Sequence, residues 1–169
     1  MESLLELDAR YTNWLSIARQ PGLRRTLASL LAHSGDSWFW LAGLAFIWVV
    51  GDSAWKWRSI AMAISVVVTA VVVLLIKFTV RRKRPAGDWG AIYRRTDPHS
   101  FPSGHAARAA MLAVVALVVG PTWFAILLAI WAPLVSLARV AMGVHYLSDV
   151  VAGMAFGLLV GGVLIQFLA

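Results

Sequence analysis

Two histidines and an aspartate in this sequence have the residue types and spacing that phosphoryl chemistry requires. His145 is followed four residues later by Asp149, and a second histidine, His105, ends the short motif PSGH. Residues four apart lie on one face of a helix, so the carboxylate can accept a hydrogen bond from one ring nitrogen of His145. That bond fixes the tautomer and leaves the other nitrogen with a free lone pair, which makes His145 a candidate nucleophile. His105 can then protonate the departing oxygen as a general acid.

Three basic residues, Lys77, Arg84 and Arg139, accompany these histidines. Arg139 stands at the end of an otherwise apolar segment, where a charge is costly and usually functional. Arginine's planar fork donates two parallel hydrogen bonds to phosphate oxygens, and the N–H groups at a helix start attract the same anion. Ser103 and Gly104 can supply such a helix start, and Gly104 lets a ligand approach the backbone closely. The set predicts cleavage of a phosphate ester through a phosphohistidine.

Zinc is the alternative ligand for the same region. Three histidines and one aspartate there are types that zinc accepts: His99, His105, His145 and Asp149. The chain has no Cys, and the surrounding Lys and Arg residues repel a divalent cation. We therefore expect no metal and no other cofactor. We interpret His33 and His99 as interfacial or loop residues, because neither has a positioned partner in the sequence.

The composition is that of a membrane protein. Of 169 residues, 60% are hydrophobic and 14% are charged, whereas a soluble domain carries about a quarter charged residues. The net charge of +7 would suggest nucleic acid in a soluble protein, but here Lys and Arg flank apolar segments. Such residues face lipid headgroups or an anionic ligand. The expected partner is thus the bilayer and not nucleic acid, and the absence of Cys excludes disulfides and thiol catalysis.

Five apolar segments are predicted to cross the membrane. A bilayer core of about 30 Å needs roughly 20 mostly apolar residues per helix. The segments cover 38–50, 59–76, 106–119, 123–140 and 150–168, and the first and third are short enough to need their flanks. Asp36 is interpreted as part of the cap of the first. The predicted fold is all-α, a polytopic membrane helical bundle of about five transmembrane helices plus an N-terminal amphipathic helix.

The first 35 residues are predicted to form an interfacial segment. Apolar residues recur there at spacings of three and four: Leu4, Leu7, Tyr11, Leu15 and Ala18. This pattern is typical of a helix in the headgroup layer or of an amphipathic helix packed on the bundle. The acidic residues in the first 20 positions are not typical of a cleavable signal peptide. The whole chain, 1–169, is interpreted as one membrane-embedded domain, with an interfacial segment at 1–35 and the catalytic core at 36–169.

Alternation of the spans predicts that the reactive residues share one side of the membrane. Because each span crosses once, the end of the second and the start of the third lie on one face. The end of the fourth and the start of the fifth lie on that face as well. These four places carry Lys77, the PSGH motif, Arg139 and the HYLSD stretch at 145–149.

Three glycines, Gly153, Gly157 and Gly161, form two successive GxxxG steps in the fifth span. Such steps let two helices approach closely. The sequence leaves two uses for this face open, packing within the monomer and a homodimer.

Together the motifs resemble the three-part signature of the type-2 phosphatidic acid phosphatase superfamily. The match comprises Lys77, six further residues and Arg84-Pro85, then PSGH, then Arg139, five residues, His145, three residues and Asp149. The order, the internal spacings and the five-span layout agree with that family.

The resemblance implies a helical membrane phosphatase that needs no metal. His145 would attack phosphorus, Asp149 would orient it, and His105 would protonate the leaving group. Five residues would hold the phosphoryl oxygens: Lys77, Arg84, Ser103, Gly104 and Arg139. Substrates of the family are phosphorylated lipids, among which polyprenyl diphosphate and phosphatidate are the leading expectations here. The segment 86–100 is expected to act as a lid or a headgroup contact.

The chain departs from the family in two respects. Ala138 stands where many members have Ser before the third-motif Arg, which removes one phosphate hydrogen bond, with Ser136 close by. Many members also have six spans.

Positive charges predict the side of the membrane. The face with the motifs carries more Lys and Arg than the opposite face, which has Lys56 and Arg58. The positive-inside rule therefore favours a multi-pass protein of the cell membrane with a cytoplasmic active face. The family resemblance points the other way, because the sites of many bacterial members face outward.

Other functions remain open at this stage. A lipid phosphotransferase would use the same phosphohistidine with an acceptor hydroxyl instead of water. A non-catalytic lipid-phosphate binding or transport protein could retain the fold, although His145, His105 and Asp149 are all present. A pump or channel would place ionisable residues within its spans, whereas here they lie at span ends.

Overall fold

The computed structural model describes residues 3–18, 21–86 and 97–168. Within these ranges the chain forms seven α-helices, and the one β contact is an isolated bridge between Lys83 and His99. The helices are α1 Leu4–Leu15, α2 Leu23–His33, α3 Ser37–Val50, α4 Ser53–Val80, α5 Gly104–Val119, α6 Thr122–Ala141 and α7 Leu147–Leu168. The predicted all-α class is confirmed.

Local sequence explains where several helices begin and end. Ser3 starts α1 with a reciprocal cap, in which its hydroxyl accepts from the Glu6 N–H at 3.3 Å and the Glu6 carboxylate accepts from the Ser3 N–H at 2.7 Å. Asp52 starts α4 by accepting from the Trp55 N–H at 2.8 Å. Arg81 ends α4 in the left-handed region, with φ of 53°.

All five predicted spans are helical, and they differ in length. The helices α4, α6 and α7 have 28, 20 and 22 residues and are long and apolar enough to cross a bilayer. The helices α3 and α5 have 14 and 16 residues and are shorter. Three long apolar helices agree with a membrane protein, and the count of five crossings stays a prediction.

The helix α5 is the centre of the bundle, with α4, α6 and α7 around it. Its apolar side chains are alanines near its start and mostly larger further along, and most are buried: Ala106, Ala107, Ala109, Ala110, Met111, Leu112, Val115 and Ala116. The larger ones join Met62 and Val66 of α4 and Leu128 of α6 in the main hydrophobic cluster. Burial in this cluster is what fixes the position of the α5 N-terminus.

The glycine face of α7 packs against α5 within the same chain. A Cβ added at Gly153 would lie 2.5 Å from the Ser103 carbonyl oxygen, and one at Gly157 would lie 2.1 Å from that of Ala107. A Cβ at Gly161 would lie 2.9 Å from the Cβ of Val114. Since α5 covers this face, the predicted homodimer through Gly153, Gly157 and Gly161 is not supported.

The N-terminal segment contains two helices where the sequence predicted one. The periodicity through Ala18 is interrupted because α1 ends at Leu15, and α2 begins after Pro21-Gly22. Towards the bundle, α1 contributes Thr12, which is buried and accepts from the Leu147 N–H at 3.0 Å. Large apolar side chains of both helices stay exposed, as an interfacial location requires: Leu5, Tyr11, Trp14, Leu23, Leu27 and Leu30.

Substitution of Gly157 tests the α5–α7 contact. We expect Gly157→Ala to lower the thermal unfolding midpoint in detergent by roughly 5 °C or more, because its methyl group would overlap a backbone carbonyl that cannot rotate away. Gly162→Ala is the matched control on the same helix, since nothing lies within 4 Å of its added Cβ. Equal midpoints for the two variants would contradict the packing described.

Candidate active site

The predicted residues meet where four helix ends come together. The Ser103 N–H donates to the Asp149 carbonyl oxygen at 2.9 Å, which joins the start of α5 to the start of α7. Lys77, at the end of α4, and Arg139, at the end of α6, are 4% and 1% exposed. Cations so deeply buried need anionic partners or an anionic ligand.

Arg84 connects the end of α4 to the His145 turn and to the loop that carries Asp97. Its Nη1 donates to the Val144 carbonyl oxygen at 2.8 Å and lies 3.2 Å from Nε2 of His145. Its Nε donates to the Asp97 carbonyl oxygen at 2.8 Å, and its Nη2 donates to Oδ2 of Asp97 at 2.7 Å. One guanidinium thereby fixes both the candidate nucleophile and a carboxylate.

Asp97 is a site residue that sequence reasoning missed. Its Oδ2 accepts from Lys77 Nζ as well as from Arg84. A single Asp in a loop before PSGH has no spacing pattern that would have singled it out. Its carboxylate shows that Lys77 and Arg84 converge on one anionic oxygen beside His145, and we call this arrangement the oxyanion cradle.

The contacts of His145 indicate its tautomer. Because Arg84 carries only donors, Nε2 of His145 is the acceptor and holds the lone pair, which leaves the proton on Nδ1. Nδ1 faces Oδ2 of Asp149 at 3.6 Å, which is too long for a hydrogen bond, and it has no other partner among the described residues. The predicted His145–Asp149 pair is adjacent but not bonded in this conformation.

His145 lies outside the helices, in the turn between α6 and α7, and is almost fully buried. Burial lowers its pKa well below the ordinary value, and the charges of Arg84, Arg139 and Lys77 lower it further. The imidazole is therefore neutral at neutral pH, as a nitrogen nucleophile must be.

Arg82 is a second residue whose place sequence reasoning missed, because nothing in the sequence distinguishes it from the other Lys and Arg residues of this face. Its Nη1 donates to Oδ1 of Asp149 at 2.7 Å, and its Nη2 donates to Oδ2 of Asp8 at 2.7 Å. Asp8 also accepts from the hydroxyl and the N–H of Ser148. The guanidinium lies over the Tyr146 ring, with Cζ 4.1 Å from its centroid. These contacts attach α1 to the start of α7 and orient Asp149.

His105 has an aspartate partner that the sequence did not reveal. Its Nε2 lies 2.6 Å from Oδ1 of Asp36, and Oδ2 of Asp36 lies 3.2 Å from Nδ1 of His33. Asp36 does precede α3 as predicted, but its side chain makes no cap hydrogen bond. His33, which we had interpreted as lacking a partner, has one. The His105–Asp36 contact joins residues 69 positions apart and leaves no local pattern, whereas His33 and Asp36 are only three positions apart.

The remaining predicted residues lie at the α5 start and on α6. Ser103 is fully buried, and its Oγ has no hydrogen-bond partner within the described part of the chain, so this hydroxyl is available to a ligand. A Cβ added at Gly104 would make ordinary contact with Val73 at 3.5 Å. Ala138 packs in an apolar cluster with Ala32, Met142 and Val144, which explains why it has no hydroxyl.

Two further expectations concern a metal ion and a lid. Among residues 3–18, 21–86 and 97–168, no group of three or more His, Asp or Glu side chains is placed to hold a metal ion. Most of the segment expected to act as a lid, 87–96, lies outside the described residues.

Comparison with known proteins identifies the family. Residues 58–169, about two thirds of the chain, match the sequence profile of the PAP2 superfamily. The chain belongs to the PAP2 superfamily. The matched segment contains the motifs from Lys77 to Asp149, and the family predicted from them is confirmed.

Related PAP2 proteins carry phosphatase names. The chain is 33% identical over 135 residues to an undecaprenyl-diphosphatase of Sulfolobus acidocaldarius, covering 78% of this chain and 64% of that protein. It is 31% identical over 151 residues to a decaprenylphosphoryl-5-phosphoribose phosphatase of Mycobacterium tuberculosis, covering 88% and 82%. A lipid A 1-phosphatase of Rhizobium etli is 29% identical, covering 92% and 74%. The predicted enzyme class, a phosphatase, is confirmed at the level of the family.

Two crystal structures share the fold. A PAP2-type phosphatidylglycerolphosphate phosphatase from Bacillus subtilis has a TM-score of 0.78 at 23% identity, covering 99% of this chain and 87% of that chain. LpxE of Aquifex aeolicus has a TM-score of 0.73 at 23% identity, covering 95% of each chain. Both likenesses show the fold alone.

Substitution of Arg82 tests its support of Asp149. We expect Arg82→Ala to destabilise the protein by about 2–3 kcal/mol, because it leaves the fully buried Asp149 carboxylate without its cationic partner. The measurement is thermal unfolding in detergent, with Lys83→Ala as the control, since Lys83 is an adjacent exposed cation. Similar midpoints for both variants would mean that Arg82 does not support the site.

Proposed function

We propose that this protein is an integral-membrane lipid phosphate phosphatase that hydrolyses a phosphomonoester or a diphosphate through a phosphohistidine and without a metal. The observation that carries the proposal is the oxyanion cradle, in which Lys77 and Arg84 hold one anionic oxygen beside Nε2 of His145. A phosphoryl group that replaced the Asp97 carboxylate there would lie next to the nucleophile. In-line positioning beside fixed cations is what phosphoryl transfer requires.

The first half of the reaction forms the phosphohistidine. Nε2 of His145 attacks phosphorus with its lone pair, the bond from phosphorus to the lipid oxygen breaks, and His105 gives its proton to that oxygen. Arg84 moves its hydrogen bond from Nε2 to a phosphoryl oxygen. The imidazole ring now carries positive charge, and Asp149 stabilises it at Nδ1.

The second half releases inorganic phosphate. Water attacks phosphorus and gives a proton to His105, while the bond from phosphorus to Nε2 breaks and returns the lone pair to His145. Ser103 and Gly104 at the α5 start, with Arg139, supply further donors to the phosphoryl oxygens. No proton or electron remains unbalanced over the cycle.

The charge of the site supports the proposal that no metal is needed. Lys77, Arg84 and Arg139 provide the positive charge that a divalent cation supplies in other phosphatases. They would also repel such a cation.

The substrate class is supported by the relatives. Two of them have names that refer to polyprenyl lipids, an undecaprenyl-diphosphatase and a decaprenylphosphoryl-5-phosphoribose phosphatase. We propose a polyprenyl diphosphate or phosphatidate that enters from the bilayer. A phosphotransferase would differ only in the acceptor of the second step, a lipid hydroxyl instead of water.

Phosphate release tests the chemistry. The purified protein should release inorganic phosphate from phosphatidate or a polyprenyl diphosphate in excess EDTA, and His145→Ala should lower the rate by on the order of 10³-fold or more. His99→Ala is the matched control, a histidine of the same region whose ring packs edge-on against Phe78. Loss of release in EDTA would contradict metal independence, and activity in His145→Ala would contradict the nucleophile.

Sidedness is proposed from the positive-inside rule, with the active face in the cytoplasm. Because the chain has no Cys, single cysteines report accessibility without background. We expect a membrane-impermeant maleimide to label Ala54→Cys, exposed at the opposite end, in intact cells, and Ala86→Cys, exposed at the active end, only in broken cells. The reverse pattern would place the active face outside.

A further inference from the structure

A second carboxylate–histidine pair lies within the same bundle. Nε2 of His105 and Oδ1 of Asp36 are 2.6 Å apart, whereas Nδ1 of His145 and Oδ2 of Asp149 are 3.6 Å apart. Asp36 precedes α3, where an Asp usually caps the helix, but its side chain makes no such bond. Its two oxygens are directed to His105 and His33 instead.

The turn that carries Asp36 is held by three donors, of which Arg108 is buried and Trp40 and Trp131 are half-buried. The Gly35 carbonyl oxygen accepts from Nη1 of Arg108, and the Ser34 carbonyl oxygen accepts from Nε1 of Trp40 at 3.0 Å. The Ser34 hydroxyl accepts from Nε1 of Trp131 at 2.9 Å. A carboxylate on so constrained a turn is fixed before any substrate binds.

Close approach of this turn to His105 depends on the absence of a side chain at position 35. A Cβ added at Gly35 would lie 3.1 Å from Cδ2 of His105 and 2.9 Å from Cγ1 of Val135. Gly35 is itself buried. A side chain at position 35 would therefore crowd the imidazole ring.

The charged groups around His105 indicate what Asp36 contributes to this imidazole ring. Among the described residues, the other charged groups that act on His105 are Arg139 from α6 and Arg108 from α5, and both repel a proton on the imidazole. Asp36 is the carboxylate that opposes them. Burial raises the pKa of Asp36, but its hydrogen bond and charge interaction with His105, followed by those with His33, outweigh burial and lower it to about 2. Asp36 is thus an anion at every relevant pH.

We propose that Asp36 is a positioning residue for His105, holding Nε2–H so that Nδ1 donates the proton to the leaving oxygen, and offsetting part of the repulsion that Arg139 and Arg108 exert on the protonated ring. This inference rests on the proposed function. On cleavage the proton moves from Nδ1 to the lipid oxygen, and the ring stays neutral with its other proton on Nε2. The attacking water then returns a proton to Nδ1. His33 supports the pair by occupying the second oxygen of Asp36.

The test compares two substrates that differ in their need for a proton. The leaving group of phosphatidate is diacylglycerol, an alcohol whose departure requires a general acid. The leaving group of 4-nitrophenyl phosphate is 4-nitrophenolate, which is stable enough to depart without a proton. We expect Asp36→Asn to lower kcat/KM, which reports the steps up to departure of the leaving group, by on the order of 10²-fold for phosphatidate and by less than about 3-fold for the aryl ester. The basic limb of the phosphatidate pH profile should move down by about one pH unit, because the lost negative charge weakens proton binding at His105.

Two controls distinguish this role from structural damage. Asp52→Asn alters the corresponding exposed aspartate before α4 and should match the unsubstituted protein on both substrates. His33→Ala, at an exposed position, should give a smaller loss that is again confined to phosphatidate.

Failure of the inference and failure of the proposed function give different results. If Asp36→Asn hydrolyses phosphatidate at the unsubstituted rate, or loses both substrates equally, the positioning role is wrong. If His145→Ala hydrolyses both substrates at the unsubstituted rate, the phosphohistidine itself is wrong.

Discussion

Charge compensation inside an apolar bundle is the constraint on which this structure depends. Lys77, Arg84 and Arg139 are almost fully buried, and an uncompensated cation in such surroundings costs several kcal/mol. Within the described residues, carboxylates face this chemistry at three points: Asp97 in the cradle, Asp149 beside His145, and Asp36 beside His105. Each carboxylate is held by at least two donors or ring nitrogens. The positions of the candidate catalytic groups are therefore set by hydrogen-bonded ion pairs and not by packing alone.

Close packing of the apolar helices brings the groups of the site within hydrogen-bonding distance of one another. The helix α7 approaches α5 so closely that a methyl group at Gly157 would overlap the Ala107 carbonyl. One turn closer to the site, the same contact places the Ser103 N–H on the Asp149 carbonyl oxygen. A wider spacing between these helices would separate the α5 start from the His145 region. Small residues along the α5–α7 contact thus help to set the geometry of the site.

Sequence and structure agree where the information is periodic or motif-based, and they differ where it is not. Apolar runs placed five helices within a few residues, and topological alternation brought Lys77, Ser103, Arg139 and His145 to one end of the bundle. The contacts of Asp97, Arg82 and Asp36 could not be read in this way. Each joins elements far apart in the chain, and a single Asp or Arg in a loop has many equivalent interpretations. The helix break before Pro21-Gly22 was missed because the spacing of apolar residues continued beyond Leu15.

Asp97 has a thermodynamic consequence for the cradle that it occupies. Because it is tethered to the same chain, it competes for Lys77 and Arg84 as an intramolecular ligand whose effective concentration does not depend on dilution. The apparent affinity of the site for an external anion then depends on how much more strongly the cations bind that anion than they bind the Asp97 carboxylate. An anion with several charged oxygens can also engage Arg139 and the α5 start, whereas one that reaches only the two cradle cations gains little over the carboxylate it replaces. On the proposed function, the cradle would therefore favour ligands that extend beyond it, and Asp97 would occupy it again when a small product departs.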